Sequence, residues 1–252
     1  MRCRPGLLLA IALLLAPASI ATAADAVEAA RELLLAWHLD PARIDRARML
    51  LETAAATDPA PDTLVALSRA WFVTGDFRAR SDGERLAAYE LGSQAARRAI
   101  AMAPRNEQAH LWLALNSGRW AEVKGVMRAM SMLATIREES DTVLRLNPAS
   151  VEGLILAGGL AAELPGFLGG DRAKAERFFK RALELDAHQT GGRLELARLY
   201  VAMHRWSDAR GELRLVLDEP EPTDRPRWTV NEVPRARALL ARLPEPPPTQ
   251  SP

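Results

Sequence analysis

Apolar residues recur along the chain at helical spacing, and one short pattern returns five times. A small residue is followed by a larger one four positions later and by a small one three further on. The five sets are Ala47-Leu51-Ala54, Gly92-Ala96-Ala99, Ile136-Ser140-Val143, Ala175-Phe179-Ala182 and Ala209-Leu213-Val216. The second set has a small residue in the large position, and the third matches in spacing alone. Because positions i, i+4 and i+7 share one helical face, small residues there let a neighbouring helix approach closely.

Each of these helices follows another predicted helix, so the chain is predicted to form about five helical pairs. The first helices of the pairs are predicted at 25–37, 61–73, 106–118, 150–162 and 190–203. The second helices are predicted to end at 59, 104, 148, 187 and about 221. A proline stands at or near each of these positions except 187, and proline disfavours the α conformation of the residue before it. The extra length of the second unit is predicted as one long helix from Ser81 to Met102, with Asp82 as its cap. That of the fourth unit is predicted as a Gly-Gly loop before a cap at Asp171.

The end of the domain is predicted to be a capping helix from Glu232 to Leu243, which follows the proline-rich connection EPEPTDRPRWTVN. A solenoid needs such a helix to cover the apolar face of its last repeat. The predicted fold is therefore all-α, a tetratricopeptide-like solenoid of helical hairpins over residues 24–243. Residues 244–252 are predicted to be a disordered, proline-rich tail.

The N-terminus has the pattern of a secretory signal peptide. Arg2 and Arg4 precede the apolar run Leu7–Leu15, and Ala21-Thr22-Ala23 supplies small residues for cleavage after Ala23. We therefore predict a signal peptide over residues 1–23 and export to the periplasm. An uncleaved membrane anchor is the alternative, since the apolar segment is about long enough to cross a bilayer. No cysteine follows the apolar run, so no lipid attachment is expected.

Charge and composition limit the chemistry. Cleavage changes the formal charge from +1 to −1, because it removes Arg2, Arg4 and no acid. A near-neutral chain gives no reason to expect nucleic acid. After residue 23 there is no cysteine and no apolar run long enough for a membrane span. The four histidines are not paired at metal-binding spacing, and no nucleophile or phosphate-loop motif occurs. We therefore predict no catalytic residues, no metal and no cofactor, although a titratable pair brought together by folding remains open.

The clearest candidate binding residues lie between His110 and Lys124. Trp112, Asn116 and Arg119 or Trp120 would share a helical face, and Trp120 would lie near Lys124. Aromatic residues and arginine often dominate binding energy, so this face could line the groove of the solenoid. The alternative is that Trp112 belongs to the repeat core and that Trp120 begins an inserted long helix. Trp71 is a further candidate with the same two interpretations.

Several segments resemble a subgroup of tetratricopeptide-repeat proteins. They are SGRWAEVKGVMRAM from Ser117, LRLNP from Leu144, ELPGFLGGDRAKAERFFKRALELD from Glu163, LELARLYVAMHRWSDA from Leu194 and RARALLARL from Arg235. The subgroup comprises the T-components of tripartite ATP-independent periplasmic (TRAP) transporters and the related regulator of microtubule dynamics proteins. The resemblance covers roughly residues 60–243 and implies an all-helical repeat without catalytic residues.

Two functions are therefore expected from the sequence. The first is a periplasmic scaffold that binds a protein or peptide partner on its concave face. The alternative, which rests on the resemblance, is an accessory component of a TRAP-type transport system that shelters a small apolar ligand. T-components are typically lipoproteins, and the missing lipidation cysteine is a departure from that pattern.

Overall fold

A computed structural model describes residues 22–244, and these form five helical hairpins and a C-terminal cap. This confirms the predicted all-α solenoid of five repeats, and the part of the chain described contains no strand. The hairpins are α1 (Ala23–Leu35) with α2 (Ala42–Thr57), α3 (Pro61–Phe77) with α4 (Asp82–Met102), α5 (Glu107–Lys124) with α6 (Val126–Leu146), α7 (Val151–Glu163) with α8 (Arg172–Leu185), and α9 (Thr190–Ala202) with α10 (Trp206–Leu217). A 3₁₀ turn, Gly166–Leu168, lies between α7 and α8.

The repeated small-large-small pattern forms the packed face of the second helices. Its members are buried in all five units, apart from Ala54, which is half-buried. Each first helix also contacts the next first helix, from α1 to α3 and on to α9. The first helices therefore form the inner layer of the solenoid, and the second helices form the outer layer.

Two local predictions need correction. Ser81, and not Asp82, caps α4, because the Ser81 hydroxyl accepts a hydrogen bond from the Glu84 amide. No extra helix is inserted in the third unit either. Trp120 lies one turn before the end of α5, and Gly125, with φ of +89°, separates that helix from α6. The additional length lies in the helices themselves. Asp171 caps α8 as predicted.

The C-terminal cap begins earlier than the sequence predicts. A short helix α11 (Arg225–Arg227), a π-helical turn (Trp228–Glu232) and α12 (Val233–Leu240) follow one another without a break. The Asp224 side chain starts this segment by accepting from the Arg227 amide at 3.0 Å, and Pro226 is compatible with a first helical turn. Ala236 and Leu243 are buried against the last repeat, which confirms the capping role.

The predicted segments at the two ends lie almost entirely outside the described residues. Thr22 belongs to the described part and caps α1: its hydroxyl accepts from the Asp25 amide, and the Asp25 carboxylate accepts from the Thr22 amide at 2.8 Å. Cleavage after Ala23 would remove this cap. No described helix is both long and apolar enough to span a membrane.

Adjacent glycines in α7 have different surroundings. A Cβ at Gly158 would lie 2.6 Å from Cε1 of Phe179 in α8, whereas a Cβ at Gly159 would have nothing within 4 Å. Gly159→Ala should therefore stabilise the protein by up to about 1 kcal/mol through helix propensity. Gly158→Ala should be less stable than Gly159→Ala by about 1–3 kcal/mol, because it overpacks the contact with α8. Urea denaturation of the two variants checks this, and equal stabilities would contradict the close contact.

Glu232 makes a buried polar contact between the cap and α9. Its carboxylate accepts from the Thr190 hydroxyl at 2.6 Å, and burial raises the pKa of Glu232 above its ordinary value of 4.5. A raised pKa means that the folded state binds the proton more tightly, so stability falls as the pH rises from 4.5 through the folded pKa. Glu232→Gln keeps a hydrogen-bond acceptor, and its stability does not fall in this way as the pH rises. We expect it to be at least as stable as the wild type at neutral pH.

Urea denaturation over a pH series measures this effect. Glu219→Gln is the control with the opposite sign, because the His188 hydrogen bond lowers the pKa of Glu219. That variant should be less stable than the wild type at neutral pH. Parallel pH profiles for the wild type and Glu232→Gln would contradict the burial of this charge.

Candidate functional site

A groove of about 240 Å³ opens on the inner layer at the N-terminal end of the solenoid. Its floor is apolar and comes from α1 and α3, with Trp112 of α5 at one side. The lining residues are Val27, Ala30, Arg31, Leu34, Leu51, Asp62, Val65, Ala66, Arg69, Asn106, Gln108 and Trp112. Because three successive first helices contribute to it, the groove exists only when the repeats are stacked.

The rim of the groove carries charges of both signs. Arg69 is exposed, and its guanidinium carbon lies 5.9 Å from the Trp112 ring centroid. Neither Arg69 nor the exposed Asp62 forms an ion pair with any residue between 22 and 244, whereas Arg31 is bound to Glu28 at 2.7 Å. Within residues 22–244, the groove therefore offers an apolar floor flanked by a cation and a carboxylate that form no ion pair.

A cluster of charged and aromatic side chains lies further along α3, beyond the residues that line the groove. Asp76 lies on the face of α3 that also carries Arg69, and its side chain is only 9% exposed. It accepts from the Tyr89 hydroxyl at 2.8 Å and from Arg227 at 2.7 Å, and Arg119 lies 3.5 Å away. Burial, together with the Asp76 carboxylate, raises the pKa of Tyr89, so the phenol stays a hydrogen-bond donor. We call these four residues the Asp76 cluster.

Arg227 reaches this cluster from the other end of the chain. Its guanidinium lies over the rings of Phe72 and Phe77, at 5.6 and 5.7 Å from their centroids, and α11 contacts α1. The C-terminal segment thus crosses the inner face and returns to the first two repeats. It closes one end of the inner face and leaves the groove beside Trp112 open.

Two of the predicted site residues lie on this face. Trp112 lines the groove and packs edge-on against Phe72, with centroids 5.5 Å apart. Arg119 belongs to the Asp76 cluster and also pairs with Glu122 at 2.9 Å. The structure therefore brings these two residues together along one stripe of the inner layer.

The other predicted site residues lie elsewhere. Asn116 is fully buried, so the prediction that it lines the groove is wrong. Its amide donates to the Ser68 hydroxyl at 3.1 Å and joins α5 to α3. Trp71 packs against the N-terminal core under Arg48 of α2. Trp120 and Lys124 lie at the end of α5, where the ammonium is 5.4 Å from the Trp120 ring centroid.

Sequence reasoning missed Arg69, Asp76 and Arg227. The first two could have been found, because positions 65, 69, 72 and 76 follow one helical stripe of α3. No spacing or motif in the sequence points to Arg227. Between residues 22 and 244 no group of three or more potential ligands could hold a metal ion.

Comparison with known proteins agrees with this architecture. The family model described as regulator of microtubule dynamics protein 1-3 matches residues 35–161, and a tetratricopeptide-repeat model matches residues 167–229. No curated protein matches the sequence.

Solved structures share the fold. A thermophilic TPR protein from Thermus thermophilus is 22% identical over 87% of this chain and all of its own, with a TM-score of 0.65. PilF from Pseudomonas aeruginosa is 18% identical over 87% of this chain and 89% of its own, with a TM-score of 0.52. Since the first family model spans half of the sequence, the chain belongs to the regulator of microtubule dynamics protein 1-3 family and is built from tetratricopeptide repeats.

Proposed function

We propose that the protein is an exported, non-enzymatic scaffold that binds a segment of a protein partner in the groove of α1, α3 and α5. The observation that carries this proposal is the open apolar floor beside Trp112, flanked by Arg69 and Asp62, which form no ion pair among the residues described. Aromatic and arginine side chains at the centre of a contact supply most of its binding energy. Export rests on the N-terminal pattern of Arg2, Arg4, the apolar run and Ala23.

The size of the groove favours a peptide over an enclosed solute. Small-molecule sites usually have volumes of about 300–1,000 Å³ and surround most of the ligand. A groove of about 240 Å³ that is open to solvent fits one or two apolar side chains of a longer segment. Such a segment would carry an acidic group toward Arg69 and a basic group toward Asp62.

The partner segment can be identified by selection from a peptide library, followed by measurement of its affinity. Trp112→Ala should weaken binding at least about tenfold, because it removes an aromatic anchor worth about 1.4 kcal/mol or more. Trp120→Ala is the matched control, since it removes the same side chain from the same helix outside the groove. Equal losses in the two variants would contradict the assignment of the site.

The alternative is an accessory role in a TRAP-type transport system with a small apolar ligand. The apolar floor formed by Val27, Ala30, Leu34 and Val65 is the observation in its favour. Native mass spectrometry of the protein purified without detergent separates the two functions. The scaffold predicts the mass of the unliganded chain, and a bound lipid-like molecule would favour the transport role.

A further inference from the structure

The internal turns of the third and fourth hairpins carry large apolar side chains in solvent. Val126, Met127 and Met130, at the start of α6, are 78%, 84% and 45% exposed. Phe167, in the turn between α7 and α8, is 86% exposed. Exposed apolar residues that are grouped in this way mark interaction sites more often than isolated ones do.

The turn that carries Phe167 lies beside the middle of α6. Arg137 of α6 donates a hydrogen bond to the carbonyl of Leu168, next to Phe167. Arg137 is two helical turns beyond Met130 on the same face of α6, a separation of about 10 Å. The four apolar side chains therefore lie along one side of α6, and we call Val126, Met127, Met130 and Phe167 the turn-edge patch.

Three cations without an ion pair among residues 22–244 flank the two turns, and the exposed acids Glu138 and Asp141 lie beside and beyond Arg137 on α6. Lys124, Arg128 and Arg172 are exposed, and none forms an ion pair within residues 22–244. Three acids near the turns have partners of their own. Glu122 pairs with Arg119 at 2.9 Å, Glu163 pairs with Arg198 at 3.4 Å, and Asp171 accepts from the Lys174 amide at the start of α8.

We propose that the turn-edge patch binds the surface of an anionic lipid bilayer. Val126, Met127 and Phe167 enter the headgroup region, and Lys124, Arg128 and Arg172 meet lipid phosphates. Trp120, which lies under Lys124, adds an aromatic ring of the kind enriched at membrane interfaces. A protein partner or a second copy fits less well, because a stable protein interface buries about 1,000 Å² or more, and this patch consists of four side chains on two turn tips.

This surface is separate from the groove. The groove lies on the inner layer of α1, α3 and α5, whereas the patch lies at the turns of the third and fourth hairpins. The protein can therefore hold a partner in the groove while the patch rests on a membrane.

The test measures membrane contact at a defined residue of the full chain. An environment-sensitive fluorophore is attached at Met127→Cys in a Cys3→Ser background, which removes the one native thiol. Vesicles contain phosphatidylcholine alone or with about 30% phosphatidylglycerol. We expect a blue shift with the anionic vesicles, and none when the fluorophore is at Met49→Cys, an exposed apolar position in α2.

A second variant tests the charges. Lys124→Ala/Arg128→Ala/Arg172→Ala should need about 100-fold more lipid for the same shift, since each basic residue contributes about fivefold. Four outcomes would overturn the proposal: no shift at residue 127, equal shifts at residues 127 and 49, equal shifts with neutral and anionic vesicles, or an unchanged triple variant. A lipid-free shift that grows with protein concentration would assign the patch to a second copy instead. Peptide affinity in the groove is unaffected by the triple variant, so failure here is distinguishable from failure of the proposed function.

Discussion

Asp76→Ala is expected to lower the free energy of unfolding by about 3–5 kcal/mol. Asp76 is the shared acceptor of Tyr89 and Arg227, and Arg119 is close to the same carboxylate. Removing one member of a largely buried ion pair leaves its partners desolvated without compensation, and this has a large effect on stability. Urea denaturation followed by far-UV circular dichroism measures the loss.

Asp141→Ala is the matched control for this substitution. Asp141 is an exposed aspartate in the interior of α6 and makes no ion pair with the residues described. Its replacement should change stability by no more than about 0.5 kcal/mol. A loss below about 1 kcal/mol for Asp76→Ala would show that the cluster is well solvated, and that the C-terminal segment is not held across the inner face by this carboxylate.

Phe179→Ala should destabilise the protein by a similar amount, about 3–5 kcal/mol. Phe179 fills the large position of the repeat pattern in α8 and is almost fully buried, with its ring against Gly158 of α7. Its removal leaves a cavity between the two helices of the fourth hairpin, and the glycine provides no side chain to fill it. The same denaturation experiment measures this effect.

The adjacent residue provides the comparison for Phe179. Phe178 is half-buried and lies near the ammonium of Lys174, 5.5 Å from the ring centroid. Phe178→Ala should lower stability by only about 1–2 kcal/mol, because its ring is partly exposed to solvent. Similar losses of stability for the two variants would contradict the orientation of α8 in which Phe179, and not Phe178, faces α7.

Much of the fold could be predicted because a single stripe of residues determines each second helix. Ala175, Phe179 and Ala182 lie at the spacing that places them on one face, and burial of that face forces the hairpin to close. The helix boundaries were less certain. Ser81 and Asp82 are both good capping residues. The sequence alone does not show which of the two side chains accepts the hydrogen bond from the Glu84 amide.

The site was harder to predict, because one helix of a solenoid has several neighbours. Spacing places Trp112 and Asn116 on related faces of α5, but it does not reveal that α3 and α4 cover Asn116 and leave Trp112 at the groove. The contact between Asp76 and Arg227 depends on the accumulated rotation of five hairpins. That rotation arises from small differences in packing at each interface, and no local pattern encodes it.

The central claim is that the partner binds the inner layer at the N-terminal groove. Site-specific photo-crosslinking tests it most directly, with p-benzoylphenylalanine in place of Gln108, which lines the groove, or of Gln94, which is exposed on α4. Each glutamine is hydrogen-bonded to a glutamate of its own helix, so the two positions are matched. We predict crosslinks to the selected peptide from position 108 and none from position 94. Crosslinks from position 94 alone, or equally from both positions, would contradict binding in the groove.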